Sequence, residues 1–212
     1  MKLYNYFRSS AAYRVRIALN LKGLQPDNVF VHLQKNEQRA VEYLKVNPLG
    51  LVPTLVDGDE VISQSLAIIE YLDEKHPSPP LLPSTPEERA RVRSIALLIA
   101  CDIHPIDNLR VLRYLTGVLK VSEEQKNAWY AHWVAEGLQA LEARLAGDPR
   151  SGRFCHGDSP TLADVCLVPQ LANARRVNMD LSPYPTLVRI EAACNGLPPF
   201  ADAAPARQPD AN

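Results

Sequence analysis

A chain of 212 residues that is 46% hydrophobic is long enough for one large domain or two small ones with real cores. Its 23 basic and 24 acidic residues leave a net charge of −1 with no basic patch or tail, which argues against nucleic acid or an anionic membrane as a partner. No apolar run approaches the ~20 residues that cross a bilayer, the first residues show no signal-peptide pattern, and Cys101, Cys155, Cys166 and Cys194 form no CxxC pair, so a cytoplasmic protein with reduced thiols and no metal is expected.

Lys2 to Phe7 is aromatic-rich and reads as a strand, and Val15, Ala18 and Leu19 lie on one face of a following helix. Ser9 and Ser10 therefore sit where a strand turns into a helix. A serine there caps free N–H groups, and the same place is an anion site at the positive end of the helix dipole. Both readings stand on this stretch alone. Arg8, one residue earlier, is suited to a carboxylate. Lys22-Gly23 ends the helix and Val29 to Leu33 reads as a second strand, giving a parallel βαβ unit.

Glu37 to Leu44 reads as a short polar helix, Asn47-Pro48-Leu49-Gly50 as a loop, and Leu51 to Val56 as a strand with Pro53 inside it. A cis Val52–Pro53 bond would turn the Val52 backbone groups outward, toward an extended peptide. Asp57-Gly58-Asp59 is a hairpin turn, and Glu60 to Ile62 is the returning strand. Ser65 then caps an apolar-periodic helix, with Gln64 adding an amide beside a second anion site. Two anion-binding helix starts and an edge-strand proline suit one extended, acidic, peptide-like ligand, and glutathione has that chemistry.

The run Ser9-Ser10-Ala11-Ala12-Tyr13-Arg14-Val15-Arg16-Ile17-Ala18-Leu19 resembles the zeta class of the cytosolic glutathione transferases. So do Asn47-Pro48 with Val52-Pro53-Thr54-Leu55, and Gln64-Ser65-Leu66-Ala67-Ile68-Ile69-Glu70-Tyr71-Leu72. The resemblance implies an α/β thioredoxin-like N-terminal domain over residues 1–80 and an all-α C-terminal domain over 87–212. Many zeta enzymes have cysteine where this chain has Ala11, so the reactive thiol must come from glutathione.

Between the two, residues 81–86 close a proline-rich stretch, His76 to Pro86, that holds five of the 18 prolines and reads as an extended linker. Downstream no strand is evident. Thr85 caps a long helix with Pro86 at its first position, and His104-Pro105 kinks or breaks it. Asn108, Arg110 and Arg113 follow on the next helical segment. Ser122 to Leu145 is amphipathic, with Trp129, Trp133, Leu138, Leu141 and Leu145 as its core face. Thr161 and Asp164 have the spacing of a capping box, and Asp164 is assigned to stability. The tail after Pro198 reads as an extended surface segment.

The resemblance also implies an activity: cis–trans isomerisation of a maleyl keto acid, here maleylpyruvate to fumarylpyruvate in aromatic catabolism. Maleylacetoacetate is the alternative substrate, and a general transferase or dehalogenase the alternative activity. Its catalytic set maps onto Ser9, Ser10, Arg8, Arg176 and, less directly, Arg110, because planar guanidinium suits a dicarboxylate. Arg113 and Arg175 compete with these as surface charges. Glutathione is assigned to Ser9, Ser10, Ala11, Gln38, Val52, Gln64 and Ser65. The helical half adds Asp102, His104 and Asn108, with a general base as the other reading of His104. Family members are homodimers.

Overall fold

The computed structural model describes residues 1–211; Asn212, the end of the expected helical segment, lies outside them. The chain divides into two compact units, residues 1–81 with 195–212, and residues 82–194.

In the first unit, β1 (Lys2–Asn5) runs parallel to β2 (Asp27–Phe30) and antiparallel to β3 (Thr54–Asp57), and β4 (Glu60–Ser63) pairs antiparallel with β3, in the order β2-β1-β3-β4. This is the βαβ followed by ββα that the pattern predicts. The alternation of β1 sorts its side chains onto two faces. Leu3 and Leu55, register partners, are fully buried. Tyr6 packs with Val31, Tyr43 and Val52, joined by the half-buried Tyr4, Phe7 and Val46. α1 (Ser10–Leu21) packs against α3 (Ser65–Lys75), where Ile17, Ala18, Ile68 and Leu72 have no solvent exposure. Lys22, beyond the end of α1, pairs with Asp73 at 2.5 Å and donates to the carbonyls of His76 and Pro79, so the cation fastens the linker's start to α3.

Three boundaries differ from the sequence reading. The second strand starts and ends earlier. Glu37 to Leu44 is broken into a 3-10 turn (Glu37–Arg39) and α2 (Val41–Val46), because Ala40 adopts an extended conformation between them. β3 begins only at Thr54, after Pro53, as expected of a residue with no N–H for the ladder. The tail also departs from an extended segment: it forms α9 (Pro198–Ala201), with Phe200 and Ala203 buried in the first unit.

The second unit is helical. α4 (Pro86–Leu97) is capped by Thr85, whose Oγ1 accepts from Glu88 N–H. It runs into a π-helical turn (Leu98–Ile103) and a 3-10 turn (His104–Asp107), so the break expected at Pro105 already starts at Leu98. α5 (Leu109–Gly117), α6 (Glu123–Ala146), α7 (Leu162–Arg176) and α8 (Pro185–Asn195) follow. α6 opens with a capping box between Ser122 and Gln125. Its buried stripe is Tyr130, Val134, Leu138, Leu141 and Leu145; Trp129 and Trp133, expected in the core, are half-buried, and Trp129 spends its indole N–H on the Ile106 carbonyl. Asp164 is fully buried and accepts from Cys155 N–H (2.8 Å), Thr161 N–H (2.8 Å) and Thr161 Oγ1 (3.0 Å), the structural role the motif predicts.

Candidate functional site

In the first unit, the strand-to-helix junction is a tight turn closed by Ser9 N–H donating to the Tyr6 carbonyl at 3.0 Å. Arg8 is exposed at this turn, its guanidinium 5.1 Å from the centre of the Phe7 ring. Ser9 is the N-cap of α1: its Oγ accepts from Ala12 N–H at 3.2 Å. Accepting that bond leaves the hydroxyl proton free to be donated outward, so capping and anion binding are compatible at Ser9. Ser10 and Ala11 are the first two helical residues, Ser10 buried and Ala11 half-buried. The four cysteines are free and lie elsewhere, so α1 offers no thiol.

The second helix start is built differently. Gln64, exposed, has φ 70° and ψ 117°, a sparsely populated conformation for a residue with a side chain, and makes no cap bond. Ser65, expected to be the cap, instead follows it, buried at the first position of α3, because Gln64 takes the N-cap place. Its Oγ accepts from Nη1 of Arg14 at 3.3 Å. Arg14 is 1% exposed. The guanidinium occupies an acceptor position of the hydroxyl and leaves the Ser65 proton for an outside acceptor. A buried positive charge thus stands behind the open N–H groups of α3, which favours an anion there.

Val52 precedes a cis bond to Pro53, as the sequence suggested. Tyr43 Oη donates to the Leu51 carbonyl at 2.5 Å, and Asn47 Nδ2 donates to the same carbonyl (2.9 Å) and to Thr54 Oγ1 (3.1 Å). These bonds hold the loop either side of Val52. Gly50 has φ +61°, and a Cβ there would lie 2.8 Å from the Gln38 carbonyl, so only glycine lets that segment come so close. Gln38 is buried, and its Oε1 has no hydrogen-bond partner among the described residues.

In the second unit, Asp102 is exposed within the π-helical turn and His104 half-buried just after it. Asn108 is not inside the helix but is the N-cap of α5: Oδ1 accepts from Arg110 N–H (3.1 Å) and Nδ2 lies 3.4 Å from His104 Nε2. Arg110 is exposed in the first turn of α5, the end where the helix dipole disfavours a cation. Helix stability therefore does not account for it. At the end of α7 the two adjacent arginines part ways. Arg175 forks onto Glu191 of α8 at 2.5–3.2 Å, a structural pair. Arg176 lies close enough to Tyr130 to act on it electrostatically: burial pushes the Tyr130 pKa up to about 12, and Arg176 opposes the rise. Asp107, beside Tyr130 electrostatically, is buried with no partner for either oxygen among the described residues, and burial pushes its pKa up to about 7.

Arg14, Tyr130 and Asp107 were missed by the sequence reading. Arg14 had a signal: a charge inside the apolar run of α1 must be paired or aimed at a ligand. Tyr130 had a weaker one, a phenol in register with Leu138 and Leu141. Asp107 had none.

A mixed four-stranded domain carrying a capped α1, a cis-proline loop and an α3 anion start, followed by a helical unit, is the architecture of a glutathione transferase. Residues 1–74 match the family model described as Glutathione S-transferase, N-terminal domain, and residues 124–203 that described as Glutathione S-transferase, C-terminal domain. The chain belongs to this family, in its zeta class. It is 53% identical to the probable maleylacetoacetate isomerase of Vibrio cholerae (99% of this chain, 97% of the relative) and 50% identical to the maleylpyruvate isomerase of a Ralstonia species (99% of each). A holo structure of maleyl pyruvate isomerase, a bacterial zeta-class enzyme, superposes with a TM-score of 0.98 at 49% identity over all of both chains. The maleylacetoacetate isomerase of Methylobacterium extorquens AM1, solved with malonate and GSH bound, gives 0.97 at 41% identity, again over all of both chains.

Proposed function

We propose that the protein is a glutathione-dependent cis–trans isomerase that converts maleylpyruvate to fumarylpyruvate in the breakdown of aromatic compounds. The observation that carries this reading is the hydroxyl of Ser9, capping α1 with its proton free, in a chain that matches isomerases end to end. The residues fit glutathione. The unpartnered, buried Gln38 Oε1 suits an amide of the ligand, and the Ser65 hydroxyl with Arg14 behind it suits a carboxylate. Val52, Gln64, Ala11, Ser10, Asp102, His104 and Asn108 are assigned to the same ligand.

Bound glutathione supplies a thiol that, once ionised, adds to one carbon of the cis double bond and leaves after rotation, so none is consumed. Ser9 donates a hydrogen bond to the sulfur, and the α1 N-terminus favours the thiolate over the thiol. Arg176, beside Tyr130, binds a substrate carboxylate, and Arg8 and Arg110 stabilise negative charge that develops on the keto acid. We further propose a cytoplasmic homodimer, in keeping with four free cysteines. Among the described residues no helix is long and apolar enough to cross a membrane.

The test is loss of the conjugated cis keto acid, followed by absorbance with and without glutathione, for maleylpyruvate and maleylacetoacetate. Glutathione-dependent conversion of maleylpyruvate without net loss of glutathione is expected. No conversion of either substrate by protein that binds glutathione would overturn the reading. Maleylacetoacetate is the second substrate to weigh, because the relative at 53% identity carries that name; the ratio of kcat/KM values decides. Light scattering tests the dimer.

A further inference from the structure

The turn that carries Arg8 and leads into Ser9 is fastened by two charged side chains of opposite sign. With the Tyr6 carbonyl bonded to Ser9 N–H, Phe7 and Arg8 are the central residues of the turn. Arg16, 5% exposed in α1, donates from Nη2 to the Phe7 carbonyl (3.1 Å) and from Nη1 to the Tyr6 carbonyl (3.3 Å) and Asn5 Oδ1 (2.9 Å). Its Nε donates to the carbonyl of Ala203 in the tail (3.0 Å). From the other side, Oδ2 of Asp210 accepts from Phe7 N–H at 2.9 Å. Both backbone polar groups of Phe7 therefore end on ionised side chains, one from α1 and one from residue 210.

The tail reaches this position through ordinary fastenings. Phe200 is fully buried, Tyr13 Oη donates to its carbonyl (3.3 Å), and Asn20 Nδ2 donates to the Pro199 carbonyl (3.0 Å). Those contacts suffice to dock a segment. They do not require a carboxylate on a turn N–H immediately ahead of Arg8. Charge-assisted bonds are about twice as strong as neutral ones, and here they act on the peptide whose rotation would move Ser9. The Ser9 cap bond is 3.2 Å long, near the end of the useful range, so a small rotation would break it.

We propose that Arg16 and Asp210 are positioning residues for the thiol site: they clamp the Tyr6–Ser9 turn in the geometry that aims the Ser9 hydroxyl and the Arg8 guanidinium. The role rests on the glutathione reading above. Arg16 keeps its charge at neutral pH, since burial lowers its pKa only to about 10 and Asp210 opposes the fall.

The experiment compares the wild type with Asp210→Ala, with a chain ended after Ala204, and with Asn20→Ala, which loses a tail bond without touching the turn. Three quantities are read: the ultraviolet titration of the bound glutathione thiolate, amide hydrogen exchange over Phe7 to Ala12, and thermal stability. Asp210→Ala and the shortened chain are expected to raise the midpoint of the thiolate titration, to lower kcat by about tenfold while the KM for the keto acid changes by less than about twofold, and to speed exchange across the turn. Asn20→Ala is expected to melt earlier with the midpoint unmoved. A folded Asp210→Ala protein whose midpoint and exchange match the wild type overturns the clamp. So does Asn20→Ala moving the midpoint as far as Asp210→Ala does. Should Asp210→Ala not fold, Asp210→Asn, which keeps an acceptor without the charge, is read in its place. Wild-type protein that binds glutathione without ionising it overturns the isomerase reading itself, whatever the exchange data show.

Discussion

At Ser9 one hydroxyl both closes a helix and faces outward with its proton, so its replacement has two separable effects. Ser9→Ala is expected to lose about 1 kcal/mol of stability for the cap and, beyond that, most of the thiolate at neutral pH; Ser9→Thr should keep much of both. Thermal melts and the thiolate titration read the two losses independently. Arg176→Lys keeps the charge but not the planar fork, so the KM for the keto acid should rise about tenfold or more with glutathione affinity unchanged. Tyr130→Phe should give a smaller shift in the same direction, because it removes the polar neighbour of the guanidinium without removing the guanidinium. Asp107 makes a pH prediction. Its folded pKa is raised to about 7 by burial, so between an ordinary carboxylate value and 7 the folded state holds more protons than the unfolded one. Stability from this group is present at low pH and lost as pH rises through that window. Asp107→Asn should therefore match the wild type near pH 4 and melt at higher temperature than it above pH 7, as a series of melts across pH would read. Ser9 was legible in the sequence because a cap position is a local property, whereas Ser65, read as a cap, lies one residue inside α3, after Gln64. Arg14 and Asp107 were not legible, since what surrounds a charge is decided by distant residues.

Two close approaches shape the helical elements. Gly137 in α6 lies where a Cβ would come within 2.3 Å of the Ile103 side chain, at the end of the π-helical turn just before His104. Gly137→Ala must push Ile103 aside, at an expected cost of about 1–3 kcal/mol seen as a lower Tm. Nothing in the sequence separates this glycine from one tolerated on an open helix surface, and Gly117 in α5, which meets no neighbouring atom, is such a case. The capping box of α7 is the opposite example, readable from Thr161 and Asp164 alone. Replacing Asp164 by Ala leaves the N–H groups of Cys155 and Thr161 without their acceptor inside the protein, and a loss of about 2–5 kcal/mol by denaturant unfolding is expected. The strands were legible through alternation and the turn at Gly58. The face of α6 was misjudged because two tryptophans outweighed the stripe from Tyr130 to Leu145; each is amphipathic enough to sit half-exposed. The tail was misjudged because proline and alanine describe backbone preference, whereas Phe200 decides where the segment docks.

At the scale of the molecule, the first unit is discontinuous: residues 1–81 are completed by the residues that follow Cys194. A fragment of residues 1–81 should unfold at lower denaturant than the same fragment joined to residues 195–211 by a flexible linker, because only the second restores the burial of Phe200 and an acceptor for Arg16 Nε. The resemblance placed everything from residue 87 onward in the helical half, whereas the residues after Cys194 join the first unit, because a domain assembled from two distant stretches has no local mark. The order in which a ribosome delivers the chain gives this layout a further meaning. The sheet, α1 and the turn that bears Arg8 emerge first, yet the carboxylate that closes on that turn is made only after the entire second unit, on the order of ten seconds later. The half of the molecule that begins folding early is thus finished late, and a nascent chain that has already built its sheet still waits for Asp210 before the turn is locked.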